Sequence, residues 1–188
     1  MERLSLDIAF VSDVACPWCA IGLASFEQAL ARLGDEVAVK LHFEPFELNP
    51  DMPPEGAETV AYLMRKYGRT PEQVREAQAR IRARGAAVGF AFGERKHVWN
   101  TFDAHRMLHW AGLEGCAVEL KRALLRAYHG EGRNPGAADV LEAHPIQSGE
   151  KAARLTVQRL EAGILHPVLA THLLDEQLGV GDDLELGD

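Results

Sequence analysis

The sequence predicts an α/β chain built on an N-terminal βαβ unit, with a mainly helical segment behind it. Three observations carry that reading. Two short runs near the start alternate apolar and polar residues with period two. A helically spaced apolar stripe lies between them. From Thr59 onward the strand period vanishes and helix start and stop signals recur instead.

The first strand is Leu4, Leu6, Ile8 and Phe10 alternating with Ser5, Asp7, Ala9 and Val11. The second is Val37, Val39, Leu41 and Phe43 alternating with Ala38, Lys40, His42 and Glu44. Between them Trp18, Ile21, Phe26, Leu30 and Leu33 recur near helical spacing, and Gly34 stands where that helix should stop. A strand, helix and strand of this length should place the strands parallel through a right-handed crossover.

The middle of the chain reads as a series of helices. Thr59–Tyr67 carries Val60, Leu63, Met64 and Tyr67 and ends at Gly68. Thr70-Pro71-Glu72-Gln73 is a strong helix start, with Thr as the cap, Pro in the first turn and Gln three residues on. That helix should run to Arg84 and stop at Gly85. Asn100 or Thr101 can cap a helix through Met107 to Ala111. A further helix carries Cys116, Leu120, Ala123, Leu124 and Ala127, and Asn134-Pro135 opens a short one ended by His144-Pro145. Two weaker helices are expected near 150–161 and 167–178, with a frayed end over 181–188. The expected organisation is a βαβ unit over 1–55, a helical insertion over 56–145 and a helical tail over 146–188.

Composition bounds the function. The 188 residues are 47% hydrophobic and 26% charged, which suits one substantial folded core. The net charge of −8 argues against non-specific binding to nucleic acid or anionic lipid, so neither is expected as a partner. Charge is segregated: residues 1–60 carry a net −8, residues 61–133 a net +7, and residues 134–188 a net −7. The plain reading of the basic middle is a set of solvated helix faces. No stretch approaches the run of about 18 apolar residues that spans a bilayer. The N-terminal residues show no basic segment followed by an apolar run, so no signal peptide is expected, and the expected compartment is a reducing cytoplasm.

Three Cys cannot close a disulfide framework; one working pair and one bystander is the economical assignment. Cys16-Pro17-Trp18-Cys19 directly follows the first strand and opens the next helix. A helix mouth leaves backbone N–H groups unpaired and carries partial positive charge, so it favours a thiolate. Cys16 is therefore expected to be the nucleophile. Cys19, one turn in and more buried, is expected to resolve the mixed disulfide. Pro17 suits the first turn because its missing N–H would be orphaned anyway. A zinc site would need two more ligands, and only Cys116 and scattered His remain, so no metal is expected. Cys116 lies on an apolar stripe and reads as a buried, inert thiol. His105 and His109 share a helix face, but the pair alone makes a weak metal site, and His105 reads as a packing or hydrogen-bonding residue. Trp99, Phe102 and Trp110 read as core or cleft wall.

The segment Ser12-Asp13-Val14-Ala15-Cys16-Pro17-Trp18-Cys19-Ala20-Ile21-Gly22 resembles the active-site segment of the DsbA-like oxidoreductases of the FrnE type. Trp99-Asn100-Thr101-Phe102-Asp103-Ala104-His105-Arg106-Met107-Leu108 resembles a second segment of that family, and Leu120–Tyr128 with Glu131-Gly132-Arg133 continues the match. The resemblance implies a thioredoxin-like βαβ core with an all-helical insertion. It implies thiol–disulfide oxidoreductase activity on protein or small-molecule thiols and disulfides, with no cofactor beyond the redox dithiol, and it admits glutathione as a co-substrate. It implies a substrate cleft formed by Pro17, Trp18, Trp99, Asn100, Thr101 and His105. Related isomerases and glutathione transferases commonly carry Ser at the first active-site position, where this chain has Cys16; a glutathione-dependent isomerase or transferase is the second reading. The family's Gly-Val-Pro segment holds a cis-Pro against the dithiol and precedes a β-hairpin and a helix. Here Gly163-Ile164-Leu165-His166-Pro167-Val168 stands at a suitable distance, but Ala170-Thr171-His172-Leu173-Leu174 lacks a strand-turn-strand sequel. The C-terminal part of the sheet is thus expected to be divergent or missing, with an impaired enzyme or a redox-inactive binding protein as consequences. The exposed sheet would then be covered by tail helices or by a second copy in a homodimer.

If Cys116 is a bystander, oxidation of the protein yields one intramolecular link, Cys16 to Cys19. Peptide mapping reads this directly; a bridge from Cys116 to either partner would overturn the assignment.

Overall fold

The computed structural model describes residues 3–142. In chain order it contains β1 (Leu4–Ser12), α1 (Pro17–Leu33), a 3-10 turn (Gly34–Glu36), β2 (Val37–Pro45), β3 (Ala57–Glu58), α2 (Thr59–Tyr67) and α3 (Pro71–Ala87). There follow β4 (His97–Val98), α4 (Phe102–Leu113), α5 (Ala117–Leu125), a π-helical turn (Arg126–Gly130) and α6 (Ala138–Glu142). The expected tail helices, Pro167 and the C-terminal part of the sheet lie outside the described residues.

β1 and β2 pair in parallel, in register from Leu4 opposite Val37 to Ser12 opposite Pro45, so the βαβ unit forms as its period predicts. The apolar face places Phe10 edge-on to Phe43, with ring centroids 5.9 Å apart. Ala20 and Leu23 of α1 and Leu125 of α5 bury against those rings, together with Leu41, Phe90 and Phe92. The opposite face is polar: Asp7 pairs with Lys40 at 3.5 Å and with His42 at 3.0 Å. This is a thioredoxin-like βαβ core with an added helical region.

The helices begin and end for local reasons. α1 and α2 stop at Gly34 and Gly68, whose φ values of 53° and 62° lie where a side chain would be strained. Glu58 caps α2 by accepting from the amides of Val60 and Ala61. At the start of α3, Thr70 and Gln73 form the reciprocal capping pair that their spacing predicts. α3 passes through Gly85 rather than stopping there. Gly85 is buried, and the Phe92 ring and the Phe90 carbonyl occupy the space a side chain would need, so this glycine serves packing. The ribbon of β3 with β4 was not expected, because two residues per strand are too few to show a period.

The larger core lies within the helical region. Ala104, Met107, Leu108 and Ala111 of α4 meet Leu120 and Leu124 of α5, Tyr128, and Val140 and Leu141 of α6. Val14 and Ala15, from the loop between β1 and α1, are buried in this same cluster. The helical region therefore packs directly on the chain that leads into α1. The approach is close at Gly93, whose N–H donates to the His129 carbonyl at 2.9 Å and whose Cα faces the Gly130 carbonyl.

A methyl group at Gly93 would collide with that carbonyl. Gly93→Ala is expected to lose about 1–3 kcal/mol, the usual range for overpacking, visible as a lower urea midpoint with unchanged slope. An unshifted midpoint would show that the backbone yields there.

Candidate active site

Ser12 ends β1, and the next four residues fold into a tight turn, with the Cys16 N–H donating to the Asp13 carbonyl at 3.2 Å. The turn is held from inside by the Asp13 side chain, which is 1% exposed. Its Oδ1 accepts the Ala15 N–H at 3.0 Å, and its Oδ2 accepts the Leu48 N–H at 2.7 Å. His105 Nε2, on α4, donates to Oδ1 at 3.3 Å. Burial pushes the Asp13 carboxyl up, but the hydrogen bonds from His105, Ala15, Leu48 and Thr101 outweigh it and hold the group below its ordinary value.

The same turn is held from outside by two residues of the helical region. His129 Nε2 donates to the Val14 carbonyl at 2.9 Å, and Arg95 Nη1 donates to the Ala15 carbonyl at 3.3 Å. Arg95 also lies 3.4 Å from His129 Nδ1. A guanidinium can only donate, so Nδ1 accepts and the proton of His129 sits on Nε2. Burial, reinforced by the Arg95 charge, pushes His129 down to about 3. The π-helical turn that ends α5 brings this ring inward, where it is 2% exposed.

Cys16 caps α1 with extended backbone angles, φ −85° and ψ 113°, and Pro17 fills the first helical turn. Both thiols are free and comparably half-buried. The expectation that Cys19 is the more buried one is thus corrected: the pair differs in proton placement. The Cys19 S–H donates to the Cys16 sulfur, and the N–H groups of Cys19 and Trp18 add to it, so Cys16 falls to about 6 despite its burial. Cys19 moves strongly up, because it holds the shared proton and is itself partly buried.

Cys16 opens on a cavity of about 320 Å³ between α1, α2 and α3. Pro17 and Trp18 line it as expected, and Trp18 is exposed at its rim. Lys66, Arg69 and Arg95 give the wall a cationic character. Lys66 Nζ donates to the Leu48 carbonyl at 2.7 Å and to Asn49 Oδ1 at 2.6 Å, and Tyr62 donates to the same Asn49 oxygen at 2.7 Å.

The other expected cleft residues stand elsewhere. Trp99 stacks on His97 at 5.0 Å and packs on the helical core. Asn100 donates to the Met52 carbonyl at 2.8 Å and caps α4 by accepting the Phe102 N–H at 2.8 Å. Thr101 and His105 lie behind the turn, on Asp13. These four support the loops that shape the site and do not line the Cys16 cavity. Cys116 is buried in the helical core, as expected, at the residue that precedes α5.

Arg95, Lys121 and His129 escaped sequence reading. Lys121 had a legible signal: it stands between Ala117 and Leu125 at steps of four, on a stripe that is otherwise apolar. Arg95 and His129 had none, since each acts on a carbonyl far away in sequence. Among the described residues, no group of three or more potential metal-binding side chains occurs, and no helix is long and apolar enough to cross a membrane.

The fold agrees with what comparison shows. The model of the DSBA-like thioredoxin domain matches residues 7–160. The chain belongs to the DsbA-like thioredoxin-domain family. A probable DsbA oxidoreductase from Streptomyces coelicolor superposes with a TM-score of 0.73 at 30% identity, covering 93% of this chain and 76% of that one. A putative protein disulfide isomerase from Nitrosomonas europaea gives 0.56 at 16% identity, covering 97% of this chain and 82% of the other. The cytosolic disulfide reductase DsbM from Pseudomonas aeruginosa, solved with GSH, gives 0.51 at 20% identity, covering 95% and 83%. Among curated proteins none matches the chain.

His129 ties this DsbA-like domain to pH. Its folded pKa of about 3 lies below the unfolded value of about 6.5. The unfolded chain therefore takes up a proton first as pH falls. Stability from this residue is full above about pH 6.5 and is lost progressively toward pH 3. His129→Leu is expected to be less stable at pH 7, since the Val14 carbonyl loses its donor, and to show a flatter decline between pH 6.5 and 4. Urea unfolding across that range checks it; parallel curves would mean the ring is not buried neutral.

Proposed function

We propose that the protein is a thiol–disulfide oxidoreductase acting through Cys16 and Cys19, of the FrnE type within its family. The observation that supports this most is the unequal proton sharing between the two sulfurs at the mouth of α1, beside an open cavity. The Cys16 thiolate attacks one sulfur of a substrate disulfide. A Cys16–substrate S–S bond forms, the substrate S–S bond breaks, and one substrate sulfur leaves as a thiolate. Cys19, after losing its proton, attacks Cys16. The Cys16–Cys19 disulfide forms and the second substrate sulfur leaves. The dithiol is oxidised by two electrons and the substrate disulfide is reduced to two thiols; the reverse sequence oxidises a substrate. The substrate is a protein or small-molecule disulfide, and the cytoplasm is the compartment that fits a dithiol kept reduced.

The cationic wall favours a second participant. Lys66, Arg69 and Arg95 beside Cys16 suit a thiol carrying carboxylates, and the DsbM relative is solved with GSH. Glutathione is the co-substrate proposed on that ground, either regenerating the dithiol or serving an isomerase or transferase of the same fold. Insulin reduction with and without glutathione separates the two readings. Turnover of insulin by the dithiol supports the oxidoreductase; a folded protein active only on glutathione conjugates would overturn it. The proposed weakness of the tail is tested by replacing residues 141–188 with a complete family tail, which is expected to raise the exchange rate.

The Cys16 thiolate, followed by its ultraviolet absorbance, is expected to titrate near 6, and Cys19→Ala is expected to shift it upward by removing the S–H donor. A wild-type midpoint at or above the free thiol value of about 8.5 would sink the assignment of Cys16 as the nucleophile.

A further inference from the structure

A second cavity, of about 390 Å³, adjoins the Cys16 cavity, and Pro17, Gln78, Ile81 and Arg95 stand in the walls of both. One face of α3 runs along the pair. Val74, Ala77, Gln78 and Ile81 line the Cys16 cavity, and Gln78, Ile81 and Arg82 line the second. Their spacing is that of a single helix face, so the floor is continuous over about 12 Å, at about 1.5 Å per residue. An extended chain covers that distance in about four residues. At about 320 Å³ the Cys16 cavity by itself has the size of a small-molecule site. Glutathione in it leaves the second cavity without an occupant.

The boundary between the cavities carries an uncommitted amide. Gln78 is half-buried, and its side chain makes no hydrogen bond among the described residues. A carboxamide donates and accepts at once, and a peptide group presents the matching acceptor and donor. The second cavity also discriminates by charge. Glu58 stands in its wall, but both carboxylate oxygens already accept N–H groups at the start of α2, from Val60 and Ala61. The other acid of the wall is Glu94, against Arg82, Arg95 and Lys96. Arg82 and Lys96 are exposed, and their side chains have no ion pair or hydrogen bond among the described residues.

We propose that the substrate is a polypeptide that crosses from the Cys16 cavity into the second cavity, with a peptide group read by Gln78 and an acidic side chain near its cysteine received by Arg82 and Lys96. The proposal rests on the dithiol reading above and narrows its substrate from any disulfide to a protein one. Gln78, Arg82 and Lys96 are then specificity-determining residues: they hold the chain beside the reacting sulfur and take no part in the exchange itself. A chain gripped in both cavities presents its sulfur to Cys16 in a restricted set of orientations, which favours reaction over that of a freely tumbling small disulfide.

The test uses the full chain and reporters in which a cysteine sulfur is joined to an uncharged aromatic thiol whose release is followed by absorbance. The Cys16 thiolate attacks the cysteine sulfur, a Cys16–cysteine disulfide forms and the aromatic thiolate leaves; Cys19 then bonds to Cys16 and the cysteine thiolate leaves. One reporter is acetylcysteine amide. A second places the cysteine in a peptide with four neutral residues on each side, and a third carries Glu among those flanking residues. In the wild type, kcat/KM is expected to be about tenfold or more higher for the neutral peptide than for acetylcysteine amide, and higher again, by about threefold, for the acidic peptide at low salt. Arg82→Glu is expected to reverse the preference between the two peptides. Gln78→Met, which keeps the helix propensity and loses the amide, is expected to lower both peptides by about threefold to tenfold relative to acetylcysteine amide, the range of one hydrogen bond. Equal values for the three reporters overturn the proposal and leave a small disulfide as the substrate. So does an Arg82→Glu protein that keeps the preference for the acidic peptide, or a Gln78→Met protein whose loss is shared equally by acetylcysteine amide. Failure of the dithiol reading looks different: a Cys16→Ser protein that still releases the aromatic thiol from acetylcysteine amide.

Discussion

The carboxylate of Asp13 is the point on which the site depends. It sits almost wholly buried in the turn between β1 and α1, and it is reached by groups from three parts of the chain: Ala15 in the turn itself, Leu48 beyond β2, and His105 on α4. A buried ion is tolerated only where hydrogen bonds replace its water. Those bonds fix the backbone from Asp13 to Ala15, directly before Cys16. The helix mouth that receives the sulfur is therefore placed by a charge and its donors as well as by apolar packing.

The helical region supplies the other side of the clamp. His129 and Arg95 take the carbonyls of Val14 and Ala15, the two residues whose side chains are buried in the helical core. The carbonyls and the carboxylate of this turn are thus answered, and its apolar side chains are covered by the same helices. That arrangement makes the helical region part of the support for this turn. With the turn held, Cys16 meets the free amides of α1 and the S–H of Cys19 in one geometry, and the two chemically equal thiols become unequal.

The charge segregation along the sequence also takes a specific form in space. Most basic residues of the middle segment are solvated, as the plain reading has it. Lys66, Arg69 and Arg95 also converge on the cavity beside Cys16, from α2, the α2–α3 turn and the segment before β4. Lys66 is held there by the Leu48 carbonyl and Asn49, and Leu48 is also held by Asp13. The wall of the cavity and the turn under the sulfur share one strut.

By itself the sequence determined what depends on near neighbours. The parallel βαβ unit followed from two alternating runs and the stripe between them; the start of α3 and the stops at Gly34 and Gly68 followed from capping chemistry that spans a few residues. The thiol pair at a helix mouth was legible for the same reason. Tertiary structure alone decided the rest. Gly85 reads as a helix stop, yet a phenylalanine seven residues later fills the space beside it and the helix continues. Trp99, Asn100, Thr101 and His105 belong near the site, but whether they wall the cleft or brace the loops depends on which face of α4 meets Asp13, and that is set by long-range packing. Arg95 and His129 find their carbonyls 80 and 115 positions away. Local pattern carries no record of such partners, because a backbone carbonyl looks the same in every sequence and only the folded chain determines which donor reaches it.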